Sequence, residues 1–442
     1  MNEKASVFQI ILFSTLIVLI VAAVLIFSNQ SGGSKVKLED VVMWGTLPKE
    51  IISSMQEAIN VDDELVSIKY QEFQAENFEK ELVEALASGT GPDLVLLPDD
   101  LLYKHKNKLF NISYESYPQK NFQNSFIQAG DALLNLDGFL GFPYIIDPMV
   151  IYFNRSILNS SAISEVPKTW NDILDAAPKI TKIDNNLNLL KSAIALGEFK
   201  NIENAKDILN VLIMQAGNPV IKKNRINNTA TDENVGEEFE VLLKDSLGEA
   251  QAPGLAALNF YTQFSNPNLN VYSWNRSLKN SKEMFLAGDL AFYIGYASEY
   301  TDILRKNPNL NFGVSMLPQK IGEELNKKTI AQMTIIGVTK QSTKLQAAFN
   351  AISYLTNDKS IKILSDRLNL PPVRRSLLAD RNDNAAIDVF NQSALISSIF
   401  WDPDNTETDE IYMNMIESYT SGRVEANSAV NRAHEELMDL IK

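Results

Sequence analysis

Asp99 and Asp100 stand side by side where the apolar run Leu94–Leu97 ends. Paired carboxylates can serve as acid and base on one bond, or accept hydrogen bonds from a ligand's hydroxyls. Adjacent side chains rarely converge on one bond, so at a strand end the second use fits better. A second acidic stretch, Asp402–Glu410 (DPDNTETDE), resembles a calcium loop in composition only. It lacks the glycine on which such a loop turns, and its acids suit a helix N-terminus. Gly89-Thr90-Gly91-Pro92-Asp93 is glycine-rich. It follows a helical pattern and precedes a strand, with no lysine after it, the reverse of a phosphate loop, and reads as a helix stop. The only histidines are His105, in the run KHKNK, and His434, on a charged helical face; both read as solvated. No serine lies in a nucleophile-elbow context. With no catalytic set, no enzyme is expected.

Aromatic residues carry a stronger signal. Trp44, Tyr144, Tyr272, Trp274, Tyr296 and Trp401 all fall at expected strand ends and loops. For any one of them a place in the core is an equal reading. Together, flanked by Asp, Asn and Gly, they suit a sugar: flat rings stack on its apolar face while carboxylates and amides take its hydroxyls. Gly295, just before Tyr296, would let a ligand approach the backbone.

The elements that must position these residues follow an α/β pattern. Val41–Trp44 reads as a strand, and Pro48 opens a helix carrying Ile51, Ile52, Met55 and Ile59 on one face. Leu65–Tyr70 alternates as a strand; Phe78, Leu82, Val83 and Leu86 mark a helix closed by Gly89; Leu94–Leu97 is a third, apolar strand. This β-α-β-α-β order implies a parallel sheet, with ligands beyond the carboxyl ends of its strands. A second α/β region, about 150–316, holds strands at Val150–Asn154, Gly288–Tyr296 and Phe312–Leu317, with helices near Asn171–Ala176, Ala205–Gln215 and Ala256–Phe264. Lys222–Glu249, polar and Asn-rich, reads as a surface excursion. Helices follow at Leu345–Leu355, Asp409–Tyr419 and Arg423–Ile441. Prolines punctuate the blocks at Pro143 and Pro148, at Pro318 and at Pro371-Pro372.

Composition bounds the function classes. The chain has 442 residues, 45% hydrophobic and 21% charged, ordinary for a globular protein. Its net charge of −15 argues against DNA, RNA or an anionic membrane face as partner. Cysteine is absent, so disulfides, thiolate metal sites and catalytic thiols are excluded. No cofactor or metal is implied. From Val7 to Phe27 the chain carries no charge. Its 21 residues would span about 31 Å as a helix, one bilayer core. That is long for a cleaved signal, and Ile26-Phe27-Ser28 is a poor cleavage site. The expectation is a single-pass anchor, with residues 1–6 cytoplasmic, 28–35 a tether, and the acidic body on the extracellular or periplasmic side.

Motifs along the body resemble those of the family 1 extracellular solute-binding proteins, the sugar-binding subunits of ABC importers to which maltodextrin-binding protein belongs. Trp44 closes the first strand. Ala87–Val95 matches a GxGPD segment followed by two apolar residues. Phe142-Pro143-Tyr144 through Asp147-Pro148, with Val150–Asn154, matches a first crossover. Val166–Trp170 matches P-x-T-W, Phe285–Phe292 matches F-x-x-G-x-x-A, and Ser421-Gly422 opens a closing helix.

The resemblance implies a two-lobed periplasmic-binding-protein-like fold of type II, with three hinge crossovers and a ligand cleft between the lobes. Lobe one would be about 36–145 plus 318–370, and lobe two about 150–316 plus 372–442. By family position Trp44, Asp100, Asp147, Gly197, Phe199, Tyr296 and Trp401 are cleft candidates; Tyr144 and Trp274 join them as strand-end and loop rings. The expected function is a membrane-tethered subunit that binds a carbohydrate and delivers it to ABC permease subunits. The alternatives are a binder of a non-sugar solute, a chemosensory or signalling receptor subunit, and a membrane-anchored hydrolase. There is no lipobox cysteine, so anchoring falls to Val7–Phe27. Leu97 stands near where maltodextrin binders carry an aromatic platform, which argues against maltodextrin itself.

Overall fold

The computed structural model describes residues 40–60, 67–185, 188–225, 237–246, 251–322, 326–379 and 384–442. The expected anchor (7–27) and tether (28–35) lie outside these residues. Among the described residues, no helix is long and apolar enough to cross a membrane.

The first lobe is built as its periodicities require. Strands β1 (Val41–Gly45), β2 (Ile68–Glu72) and β3 (Leu94–Pro98) are parallel, in the order β2-β1-β3. The helices Lys49–Asn60 and Ala75–Ser88 make the crossovers. The second buries Phe78, Leu82, Ala85 and Leu86 and stops at Gly89, whose φ of 75° is left-handed and favours glycine. Two short strands, β4 (Ile112–Ser113) and β5 (Gly138–Phe139), form a separate small antiparallel pair.

The long strand β6 (Phe142–Asn154) runs through both lobes. Sequence reading gives a strand only from Val150 and a proline-punctuated crossing before it. The structure keeps one strand across Pro143 and Pro148. In the second lobe β7 (Lys182–Ile183), β8 (Leu189–Ile194), β11 (Leu290–Tyr296) and β12 (Phe312–Met316) extend the sheet. There β11 and β12 flank β6 antiparallel, and β8 lies parallel to β11. A separate hairpin, β9 (Ile221–Arg225) with β10 (Glu237–Val241), occupies part of the stretch expected to be a plain surface excursion.

Strand β13 (Thr329–Val338) returns to the first lobe between β3 and β6, antiparallel to both, and its first residues pair with β14 (Ser397–Ser398). The sheet is therefore mixed and, among the described residues, has ten strands, in two lobes. A register shift at Thr334/Ile335 lies opposite Ile145 and Pro143; such a bulge accommodates a residue with no N–H to give. Pro318 and Gln319 stay with second-lobe partners: the Gln319 N–H donates to the Lys168 carbonyl, and Gln215 Nε2 to the Pro318 carbonyl. The chain crosses back as β13, beyond the proline. Likewise Val373 and Arg375 hold first-lobe residues, through Ile127 N–H to the Val373 carbonyl and Arg375 Nε to the Gln123 carbonyl.

Both histidines are buried rather than solvated. His105 Nε2 lies 2.9 Å from Glu79 Oε1, and His434 packs among the buried residues of the helix Ala426–Leu440.

Candidate functional site

Where β3, β6, β11 and β13 approach the boundary between lobes, their ends surround a cavity of about 360 Å³. Cavities that take small ligands run from about 300 to 1,000 Å³, so this one suits a small solute. Each wall has a local reason. Strand β3 ends in Pro98, and Asp99 and Asp100 begin a single 3₁₀ turn just beyond it. Strand β6 contributes Ile145 and Asp147 at its crossing point, and β13 contributes Ile330 through Thr334. The second lobe supplies Lys206 and Asp207 from the first turn of the helix Ala205–Ala216, and Tyr296 from the end of β11. Phe400 and Asp402 come from the loop ahead of the helix Asn405–Thr420, and Asn405 is that helix's first residue.

The polar contacts are specific. The Tyr296 hydroxyl donates to Asp207 Oδ2 at 2.8 Å, and the Ser298 N–H donates to Asp147 Oδ1 at 3.0 Å. Lys206 Nζ is 2.8 Å from Asp402 Oδ2 and 2.9 Å from Asp409 Oδ1, and it donates to Thr408 Oγ1 at 3.0 Å. Asp404 caps the following helix by accepting from the N–H groups of Thr406 and Glu407, the cap expected of this acidic stretch. Asp100 Oδ1 is buried and accepts no hydrogen bond.

Burial dominates the electrostatics. It pushes Asp147 up to about 7, with Glu299 adding repulsion and hydrogen bonds from Ser298 opposing it. Burial likewise pushes Asp207 up to about 6, against the pull of Lys206 and the Tyr296 hydroxyl. Asp99 and Asp100 are raised by burial too; Asp100 and Asp207 add repulsion at Asp99, and Asp402 adds it at Asp100. Among the described residues, no group of three His, Asp or Glu side chains is placed to hold a metal.

Of the nine residues singled out from sequence, Asp100, Asp147 and Tyr296 meet in this cavity. The other six lie elsewhere. Trp44 is in the core, its ring centroid 4.6 Å from that of Phe73. Tyr144 is buried, its hydroxyl directed at Met55 Sδ, 3.5 Å away. Trp274 is fully buried and donates from Nε1 to Asn201 Oδ1 at 3.1 Å. Gly197 has φ of 102°, and a Cβ there would come within 2.7 Å of Ser265. Its glycine is explained by backbone form and packing. Phe199 packs half-buried against the core. Trp401 lies between the lining residues Phe400 and Asp402 but packs edge-on to Phe239, centroids 5.0 Å apart. Physically, tryptophan and tyrosine bury large apolar areas, and here that outweighs a place on a wet wall.

Sequence reasoning misses Lys206, Asp207, Phe400, Gln332 and Thr334. An acid in a helix's first turn looks like ordinary dipole compensation. Asp99 is recognised in sequence as a hydroxyl acceptor, and Asp402 only as part of an acidic cap.

The family of bacterial extracellular solute-binding proteins matches residues 52–389. Among solved structures, a cyclo/maltodextrin-binding protein complexed with maltotetraose is 17% identical, covers 93% of this chain and 99% of its own, and has a TM-score of 0.71. The sugar-binding protein MalE from the phytopathogen Xanthomonas citri is also 17% identical, with 91% and 97% covered and a TM-score of 0.71. The cyclic alpha-maltosyl-1,6-maltose binding protein from Arthrobacter globiformis is 14% identical, with 92% and 99% covered and a TM-score of 0.71. No curated protein sequence matches the chain.

Proposed function

We propose, for a chain that belongs to the bacterial extracellular solute-binding protein family, that its inter-lobe cavity takes a small carbohydrate for delivery to an ABC permease. The family is one of binding proteins rather than enzymes. The observation that carries the reading is the cavity itself, enclosed by strand ends of both lobes and lined by acceptors that suit sugar hydroxyls. Tyr296 and Phe400 offer ring surface there, and Asp99, Asp100, Gln332 and Asn405 offer polar atoms. The solved relatives bound to maltotetraose, acarbose and mannotriose support a sugar as the class of ligand. A volume near 360 Å³ favours one or two rings over a long oligosaccharide.

A binding protein that closes on a ligand gains stability from it, by RT ln(1 + [L]/Kd). A thermal-shift screen of the protein with monosaccharides, disaccharides and polyols should raise the melting temperature for at least one sugar. Amino acids or other non-sugar solutes raising it alone would move the reading to the alternative binder.

The same reading includes a membrane tether. The uncharged stretch Val7–Phe27 and the absent cysteine support it. Mass spectrometry of the protein from its native membrane should find an N-terminus ahead of residue 7. A mature start near residue 29 would remove the tether and leave a secreted or periplasmic protein.

A further inference from the structure

We infer that the ligand of the inter-lobe cavity carries a protonated amine, as an amino sugar does. This rests on the sugar-binding reading above and concerns the charge of that same site. The site does not depend on its acids; the cavity locates it.

Among the described residues, the cavity wall holds Asp99, Asp100, Asp147, Asp207 and Asp402 against a single cation, Lys206. That lysine is already committed to Asp402, Asp409 and Thr408. The other four acids have only neutral donors in direct contact. A Met333 N–H faces Asp99, a Ser298 N–H faces Asp147, and the Tyr296 hydroxyl faces Asp207. Among the described residues, Asp100 Oδ1 has no donor. Asp99 and Asp147 are buried and Asp100 and Asp207 half-buried. When ionised, acids so placed repel through a poorly screening medium, and neutral donors satisfy lone pairs without cancelling the charge, so a cation is what lets them ionise together. The chain's general acidity does not account for this, because acids avoid burial unless paired.

A bare metal ion fits poorly. It needs several ligands converging on one point, and among the described residues no such trio exists. Acids spread round a wall suit a bulkier cation, with charge on a nitrogen and hydroxyls around it. A compact amino sugar has that form and matches the size of the cavity.

Calorimetry on the full chain would compare glucosamine, galactosamine and mannosamine with glucose, galactose and mannose. The N-acetylated forms, whose nitrogen is neutral, and the aliphatic amines putrescine and spermidine complete the set. At least one amino sugar should bind ten-fold or more tightly than both its parent sugar and its N-acetyl form. Asp100→Asn or Asp207→Asn should reduce that preference at least three-fold; the wild-type comparison stands even if a variant fails to fold. Equal or tighter binding of the neutral sugars would overturn the inference while leaving the carbohydrate reading intact. Binding of putrescine or spermidine with no sugar bound would uphold the amine and overturn the carbohydrate. No binding by any amine would overturn the inference.

Discussion

Asp147 shows how much a single residue at the crossing can govern. Its carboxyl is buried beside Glu299, faces the Ser298 N–H, and is pushed up to about 7. A folded-state value above the ordinary 3.8 means the native state holds this proton more tightly than the unfolded chain. The group's contribution is then most favourable below about pH 4 and is lost as pH rises toward about 7. Asp147→Asn keeps an acceptor for Ser298 and removes the titration. The ligand-free variant should be more stable than wild type by about 1–3 kcal/mol at pH 8, and the difference should vanish near pH 4. Urea unfolding across that range checks it; a difference independent of pH would place the effect in packing instead. At this scale the lining of the cavity was partly legible. A carboxylate beyond an apolar strand is a readable signal, which is why Asp100 was within reach. A tryptophan in a loop is not, because Trp274 and Trp401 are as content against Asn201 and Phe239 as against a ligand.

Strands and helices that bury one continuous face announce themselves, and β1, β2 and β3 with their two crossover helices follow the expected order. Strand β13 escapes because it does two jobs. Val338 and Ile336 pack in the core, while Gln332 and Thr334 break the apolar run where the strand borders the cavity. The β9–β10 hairpin escapes because its sequence is polar, yet it ties the lobes together. Phe239 meets Tyr103 edge-on at 4.9 Å and Trp401 at 5.0 Å, and Lys223 donates to Asn135 Oδ1 at 2.6 Å. Nearby, Lys104 pairs with Asp404 at 2.7 Å and the Tyr103 hydroxyl donates to the Ile441 carbonyl. A ring pair is worth about 0.5–1.5 kcal/mol beyond its buried area. If these contacts belong to the closed form, Phe239→Ala should weaken sugar binding roughly three-fold to ten-fold, mainly through faster release. Stopped-flow release rates test this; an unchanged rate would make the hairpin a fixed ornament of the second lobe.

At the scale of the whole molecule, we expect three stretches of chain to join the lobes, and joints of that number allow bending rather than tumbling. We expect lobe one, about 36–145 plus 318–370, and lobe two, about 150–316 plus 372–442, to move as near-rigid bodies, with one adjustment. Gln319 is bonded to Lys168, and Arg375 to Gln123, so the bends should not lie at the prolines themselves, and the second should lie at Ile330–Met333. The prolines mark the neighbourhood of a crossing because they end elements; hydrogen bonding decides where the chain can flex. Closure about these joints is what would convert a cavity into a captured ligand that a permease can recognise. Small-angle X-ray scattering is the direct test, run with and without a saturating amount of the sugar that most raises the melting temperature. The radius of gyration should fall when the sugar is bound. An unchanged scattering profile at saturation would contradict it, and with it the view that the two lobes close around the ligand.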